Sequence, residues 1–299
     1  MGRFDQAVRV DQYAPPTLCG GRSMSDDIDL TGYFERIGFS GSIAPTVETL
    51  ASLIELHAAA IPFENLTPMM GEPVRIERLN IQQKLIYEKR GGYCLEQNLL
   101  LHWALETLGY EGMEIHSANV LLGNVPREGP PTHILISVPI GANTYIADVG
   151  LGGVTVTAPL RLRAGAEQET PHETYRLTGG DPDWLLEVKL GEEWRPVTVF
   201  TTTAVNADEL TEMNDRVSID FRDFLLAGRA VKGKRHTLRN LTAKTYTIGG
   251  ETGTTLLRSV QELKDTLTAT FGIALPPADK LDPILETLVA RELPLLGAA

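Results

Sequence analysis

RGGYCLEQNLLLHWALETLG, running from Arg90 to Gly109, decides how the chain folds. Two glycines lead into Cys94, and the run beyond it is apolar nearly all the way round. Leu95, Leu99, Leu101 and Leu105 predict a buried helix over 94–108, with Gly109 as its C-terminal stop. A cysteine at a helix mouth stands at the positive end of the helix dipole, which favours its thiolate. Cys94 therefore reads either as a small core residue or as a nucleophile. The only other cysteine is Cys19.

Upstream of this helix the signals are also helical. Leu30, Tyr33, Phe34 and Ile37 make one helix stripe stopped by Gly38, and Thr46 caps a second helix that ends before Pro62. Residues 1–26 read as a flexible extension, with Met24 as the natural start. Downstream, from about His116 to Phe200, the apolar period changes to two. ANVLLG, THILISV, TYIADV, ETYRLT, WLLEVKL and WRPVTVF are separated by Gly, Pro and Asp clusters, predicting an antiparallel sheet or small barrel. NADELTEMN restarts helix behind Asn206 and Glu209, and DFRDFLLAGR is read as continuing it. TLRNL, KTYTIG and TTLLR read as strands before SVQELKDTLTATFG, where Ser259 and Glu262 predict a capping box. The expected divisions are a helical domain over 27–112, a β domain over 113–205, a helical segment over 206–230 and an α/β domain over 231–299.

The formal net charge of −12 excludes a general nucleic-acid binder and disfavours docking on anionic membranes. No run approaches the roughly 18 apolar residues of a spanning helix, and the N-terminus lacks the apolar core of a secretory signal. Two cysteines allow one disulfide at most, and a reduced cytoplasm is the expected compartment. No His/Cys/Asp/Glu cluster has the spacing of a metal site.

A catalytic thiol needs a base. His102 lies on the same helix as Cys94, roughly 12 Å away by rise alone. His57 belongs to a core helix, and His172 and His236 lie in polar loop contexts, leaving His116 and His133. His133 has a partner. Centring the THILISV/TYIADV hairpin between Ile140 and Gly141 opposes His133 to Asp148, with Cβ atoms roughly 5 Å apart. A carboxylate there would hold the imidazole tautomer and stabilise its cation. Taken singly, each residue has a plainer reading: core cysteine, sheet histidine, turn aspartate. Taken together they form a Cys94–His133–Asp148 triad.

Four segments, IPFENL (Ile61–Leu66), RGGYCLEQN, THILISV and YIADVGLGG (Tyr145–Gly153), resemble the arylamine N-acetyltransferases in order and spacing, from Asp29 to the C-terminus. The resemblance implies an α+β fold: an N-terminal helical domain, a central antiparallel β-barrel and a C-terminal α/β lid over the cleft, with a cysteine-protease-like catalytic core. It implies ping-pong acetyl transfer from acetyl-CoA, a substrate and not a tightly bound cofactor, to an aromatic amine or hydrazine through acetyl-Cys94. It also implies that Arg90 pairs with Glu64 to brace the catalytic loop, and that Phe63, Leu151 and Phe221 line the acceptor pocket. Many relatives carry phenylalanine where this chain has Leu151, which implies a roomier pocket. Asn98, one turn after Cys94, is placed to reach the His133–Asp148 couple. The Cys94 N–H is the candidate oxyanion donor.

Gly150, Gly152 and Gly153 let backbone approach the CoA pyrophosphate. Lys232, Lys234 and Arg235 are the expected basic patch for CoA, with Arg239 nearby. Between Asn214 and Phe221 the chain is a few residues shorter than the family pattern. A homodimer is a further possibility. Three rivals stand beside this reading. They are a macrolactam-forming amide synthase of the same family, a thiol hydrolase or transglutaminase-like enzyme, and a ligand-binding protein with a decayed triad.

Overall fold

The computed structural model describes residues 27–121 and 129–296. The expected extension 1–26, Met24, Cys19 and the end of ANVLLG lie outside the described residues. The first unit holds α1 (Leu30–Ile37), α2 (Val47–Ala60), β1 (Phe63–Glu64), α3 (Leu66–Met69), α4 (Arg78–Gln82) and α5 (Cys94–Thr107). The caps are local chemistry. Asp29 accepts from Gly32 N at 3.0 Å and Thr46 from Thr49 N at 3.3 Å, while Gly38 ends α1 with a left-handed φ of 71°. A π-helical turn, Gln83–Tyr87, follows α4 directly. Helix α5 is the axis of this unit: Leu95, Leu99, Leu100, Leu101, Ala104 and Leu105 are all buried in one core with α1 and α2.

Strands β2 (Glu114–Val120), β3 (His133–Ile140), β4 (Asn143–Ala147), β5 (Leu160–Arg161), β6 (Glu167–Glu169), β7 (Thr174–Gly180), β8 (Asp183–Leu190) and β9 (Glu193–Ala204) form one antiparallel sheet. Their order is β5-β4-β3-β2-β9-β8-β7-β6, a nearly closed barrel around Leu135, Tyr175, Leu177, Leu186, Val188 and Val197. The seam between β5 and β6 is closed by a side chain. The Gln168 amide accepts from Arg161 N at 2.7 Å and donates to Arg161 O at 3.0 Å, copying the pattern of a paired strand.

The β3–β4 register differs from expectation. The turn is Gly141–Ala142, so Ile140 pairs with Asn143 and Ile136 with Ala147. This moves the partner strand by two positions from a centre between Ile140 and Gly141. A two-residue shift keeps every side chain on its expected face. Asp148 consequently lies just past the end of β4 and meets His133 diagonally.

Helix α6 (Ala207–Asp220) starts as expected, with Asn206 accepting from Glu209 N and Glu209 from Asn206 N. It does not continue through DFRDFLLAGR. Phe221 caps it, and Leu226–Val231 is strand β10. The reason is tertiary. Asn65 donates to the carbonyls of Phe221 and Phe224 and accepts from Leu226 N, turning the chain, and β10 then pairs with β1. Strand pairing overrides the local helical pattern. The third unit is the sheet β1-β10-β11-β12-β13, with β11 (Lys234–Arg239), β12 (Thr242–Thr247) and β13 (Thr252–Leu256), backed by α7 (Val260–Ala269) and α8 (Ala278–Leu296). Leu238, Leu257, Leu263, Leu267, Phe271, Leu281 and Leu285 fill the space between sheet and helices. Ser259 caps α7 by accepting from Glu262 N at 3.2 Å. Glu262 reaches back to Arg258 N, one residue short of a reciprocal box.

A buried chain of polar groups crosses the first unit. Tyr33 OH meets His57 Nδ1 at 2.9 Å, and His57 Nε2 meets Gln97 Oε1 at 2.7 Å. The Gln97 amide nitrogen donates to Ile61 O, Pro62 O and Gly92 O, so its oxygen accepts and His57 Nε2 carries the proton. Burial, opposed by the Gln97 bond, pushes the imidazolium pKa from 6.5 down to about 4. His57 is neutral in the fold, while the unfolded chain binds a proton there below pH 6.5. Stability therefore falls as pH drops from 6.5 toward 4, by at most about 1.4 kcal/mol per pH unit from this group. Urea melts at pH 7, 6 and 5 should show a shallower slope for His57→Gln than for wild type; an identical slope overturns the assignment.

Candidate active site

Cys94 is the first residue of α5, and its side chain is buried. Its N–H is among the four that no helical carbonyl can reach, and the N-terminal field falls on its sulfur. The preceding loop is compressed. A Cβ on Gly91 would stand 2.1 Å from Pro62 O, so the chain passes there only as glycine. Glu96, in the first turn, accepts from Tyr93 N at 3.1 Å and from Lys84 Nζ at 2.7 and 3.0 Å. Burial raises the Glu96 pKa, opposed by Lys84. Lys84 is delivered by the π-helical turn.

His133 begins β3, and its Nε2 lies 2.6 Å from Asp148 Oδ2. The Cys94 Sγ–H donates to Thr132 O at 3.6 Å, and Cys94 and His133 line the same cavity. Burial opposes the imidazolium, but the Asp148 charge, the hydrogen bond to Asp148 and the contact with Cys94 outweigh it. They lift the His133 pKa from 6.5 to about 10. The carboxylate behind the ring therefore favours its imidazolium form. Asp148 Oδ1 accepts from Asn98 Nδ2 at 3.0 Å and from Gly150 N at 2.9 Å. Asn98 also donates to Ile134 O at 2.7 Å and accepts from Val149 N at 2.9 Å. One amide thus ties α5, β3 and the segment after β4 around the carboxylate. A Cβ on Gly150 would lie 2.8 Å from Cys94 Cα, so the chain must pass there without a side chain.

Glu64 and Arg90 meet in a buried pair, with Arg90 Nε 2.9 Å from Oε1. Arg90 also reaches Thr67 Oγ1 and Glu64 accepts from Leu66 N. Burial would raise the Glu64 pKa, but Arg90 and Lys84 hold it below its usual value. Tyr93 OH bonds Asn214 Oδ1, and Asn214 donates to Val74 O, fixing α6 beside the catalytic loop. The stretch between Asn214 and Phe221 is helical to Asp220.

Cys94 and His133 open into a cavity of about 910 Å³. Phe63, Leu151 and Phe221 line it, as do Gly150, Gly152 and Gly153. Phe221 packs on Phe63, Tyr93 and Phe224 with ring centroids 5.7–6.1 Å apart. Gly152 has a φ of 59°, and a Cβ there would press 3.3 Å from the Phe63 ring. The expected basic patch is different. Arg235 is no free surface cation: it is buried, with Nε 3.0 Å from Glu173 Oε1 and Nη2 bonded to Thr155 O at 3.1 Å. Lys232 and Lys234 are not among the lining residues, whose basic members are Arg239 and Lys244. Arg239 lies over the Phe224 ring at 5.3 Å. Lys244 was legible only through strand alternation on β12, where residues 242, 244 and 246 share the cavity face.

The described residues contain no group of three His/Cys/Asp/Glu side chains able to hold a metal and no helix long and apolar enough to cross a membrane. The N-acetyltransferase family profile matches residues 46–280. An arylamine N-acetyltransferase of Mycobacterium tuberculosis is 33% identical over 276 residues, covering 89% of this chain and 97% of the relative. One from Escherichia coli is 38% identical over 171 residues, covering 57% of this chain and 60% of the relative. The Mycobacterium marinum arylamine N-acetyltransferase superposes with a TM-score of 0.82 at 33% identity, over 87% of this chain and all of the other; a second structure of it, in complex with CoA, gives the same score. A thiol at a helix mouth, an imidazole held by a carboxylate behind it and a common cavity thus stand in a chain that matches these proteins along most of its length, and the chain belongs to the arylamine N-acetyltransferase family.

Proposed function

We propose that the chain transfers an acetyl group from acetyl-CoA to an aromatic amine or hydrazine in a ping-pong reaction through acetyl-Cys94. The observation that carries this is a histidine held by a carboxylate, with 2.6 Å between His133 Nε2 and Asp148 Oδ2, lining one cavity together with Cys94. The Cys94 thiolate attacks the thioester carbonyl. The developing oxyanion lies within reach of the Cys94 N–H, the bond from carbonyl carbon to CoA sulfur breaks, and His133 gives its Nδ1 proton to the leaving thiolate. An amine nitrogen then attacks the acetyl-thioester. His133 accepts the nitrogen's proton, the C–S bond to Cys94 breaks, and the thiolate is restored. The Asp148 carboxylate steadies the imidazolium; Asn98 and the Gly150 N–H fix its other oxygen.

Phe63, Phe221 and Leu151 offer an apolar slot for the aromatic ring. Glycines 150, 152 and 153 bring backbone to the donor, and Arg239 and Lys244 are the cations placed to meet its phosphates. Hydrazines share the nucleophilic nitrogen, so they belong to the acceptor class. A cytoplasmic setting suits a working free thiol. The exposed edge strand β13 offers a surface for the homodimer. Acetyl transfer to nitrogen is favoured over simple hydrolysis by an apolar cavity that is shaped for a ring.

Intact mass after mixing with acetyl-CoA should rise by one acetyl group in wild type and stay unchanged in Cys94→Ala. An acetylated Cys94→Ala, or an acetyl-enzyme that gives free acetate as fast as amide when an arylamine is present, overturns the mechanism. Replacing Arg239 and Lys244 together by Gln should raise the KM for acetyl-CoA by about ten-fold or more, each lost phosphate contact being worth about 1 kcal/mol or more. The Lys232→Gln/Lys234→Gln pair should leave that KM within about two-fold; the opposite ranking would return the phosphates to the β10–β11 turn.

A further inference from the structure

Arg235 is a buried cation that serves no surface, and what it holds lies against the active site. The turn Gly152–Thr155, a few residues after Asp148, contributes Gly152 and Gly153 to the cavity wall, and three of its carbonyls are held by side-chain donors. Thr155 Oγ1 donates to Gly152 O at 3.0 Å, Tyr175 OH to Val154 O at 3.0 Å, and Arg235 Nη2 to Thr155 O at 3.1 Å. Two of these donors come from other elements, β7 in the barrel and β11 in the lid. Glu173, next to β7, holds the Arg235 guanidinium by two bonds. Beside it, His172 Nε2 meets the carbonyls of Val231 and Lys234, at 2.9 and 3.2 Å, on either side of the β10–β11 turn. The lid presses on the same wall from its inner side. A Cβ on Gly228 of β10 would stand 2.6 Å from the Gly152 carbonyl carbon, and one on Gly153 would stand 3.0 Å from Thr237 Cγ2.

We propose that His172, Glu173 and Arg235 form a latch between barrel and lid that positions the Gly152–Thr155 wall for the acyl donor. They are positioning residues: none of them lines the cavity. The chemistry of the pair explains the choice of arginine. Its planar fork binds the Glu173 carboxylate with two nitrogens and still reaches a backbone carbonyl, which a lysine ammonium does not do with the same geometry. Cys94, His133 and Asp148 have their own partners and do not touch the latch. A broken latch should therefore loosen donor binding and leave the nucleophile intact.

This inference rests on acetyl-CoA being the donor, and the test separates the two claims. Wild type, Glu173→Gln, Arg235→Gln and Arg235→Lys are compared with two acetyl donors: acetyl-CoA, which must reach across the lid, and p-nitrophenyl acetate, a small activated ester with no nucleotide. For both glutamine variants the KM for acetyl-CoA should rise about ten-fold, while acetylation by p-nitrophenyl acetate stays within about two-fold of wild type. Arg235→Lys, which keeps the charge and loses the fork, should fall between and covers the case in which Arg235→Gln does not fold. Equal losses with both donors would mean general damage and would overturn the latch, as would an unchanged KM for acetyl-CoA. A wild type acetylated by p-nitrophenyl acetate and never by acetyl-CoA would overturn the donor assignment itself, and the latch with it.

Discussion

A carboxylate shut away from water is the constraint on which the rest of this structure depends. Asp148 is almost completely buried, and a buried charge is tolerated only when its lone pairs are met. Its three partners come from different parts of the chain: the imidazole of β3, the Asn98 amide of α5 and the N–H of Gly150. Satisfying that one group forces the start of α5 against the ends of two barrel strands. The contact is close enough that residue 150 must be glycine, and it brings Cys94 and His133 to one cavity. The placing of Cys94 follows from a requirement that the fold has to meet anyway.

Around this point the chain sorts its ionisable groups by environment. His57 is buried with neutral partners and stays uncharged, whereas His133 is buried against a carboxylate and becomes the cation. The same residue type is thus held neutral in one place and protonated in another. Glu64, Arg90, Lys84 and Glu96 enclose the loop before Cys94 as two pairs of opposite charge, both shielded from solvent. Breaking such a pair by removing one partner typically costs about 3–5 kcal/mol, far more than a surface pair contributes. That rigidity holds a loop whose glycine has no room for a side chain.

Much of this was legible from residue order alone. The helix of α5, its glycine stop, the strand runs of the barrel and the caps at Thr46 and Asn206 follow from local chemistry, and the structure has them. The Cys94, His133 and Asp148 grouping could be read because strand alternation survives a two-residue error in the turn. Three things could not be read. The strand at Leu226–Val231 is imposed by Asn65 and β1 from far away in sequence, while its own residues carry a helical pattern. The last helix carries Pro283 and Pro294, which hide its period. The role of Arg235 depends on Glu173, separated by 62 positions, and a run of basic residues gives no sign of which one turns inward. The roles that Lys244 and Phe224 take in the cavity likewise appear only when the lid is folded over it.

The Gln168 seam has an evolutionary consequence. One amide stands in for a row of backbone pairs between β5 and β6, while the connection itself is tied to its neighbours, Leu162 N to Thr144 O at 2.8 Å and Gly165 N to Leu177 O at 2.8 Å. A change of length in the 162–166 connection therefore has to spare both bonds, because they anchor the joint to β4 and to β7. The joint stands beside β4, the strand that leads to Asp148, so whatever remodels that rim is felt one strand away from the carboxylate.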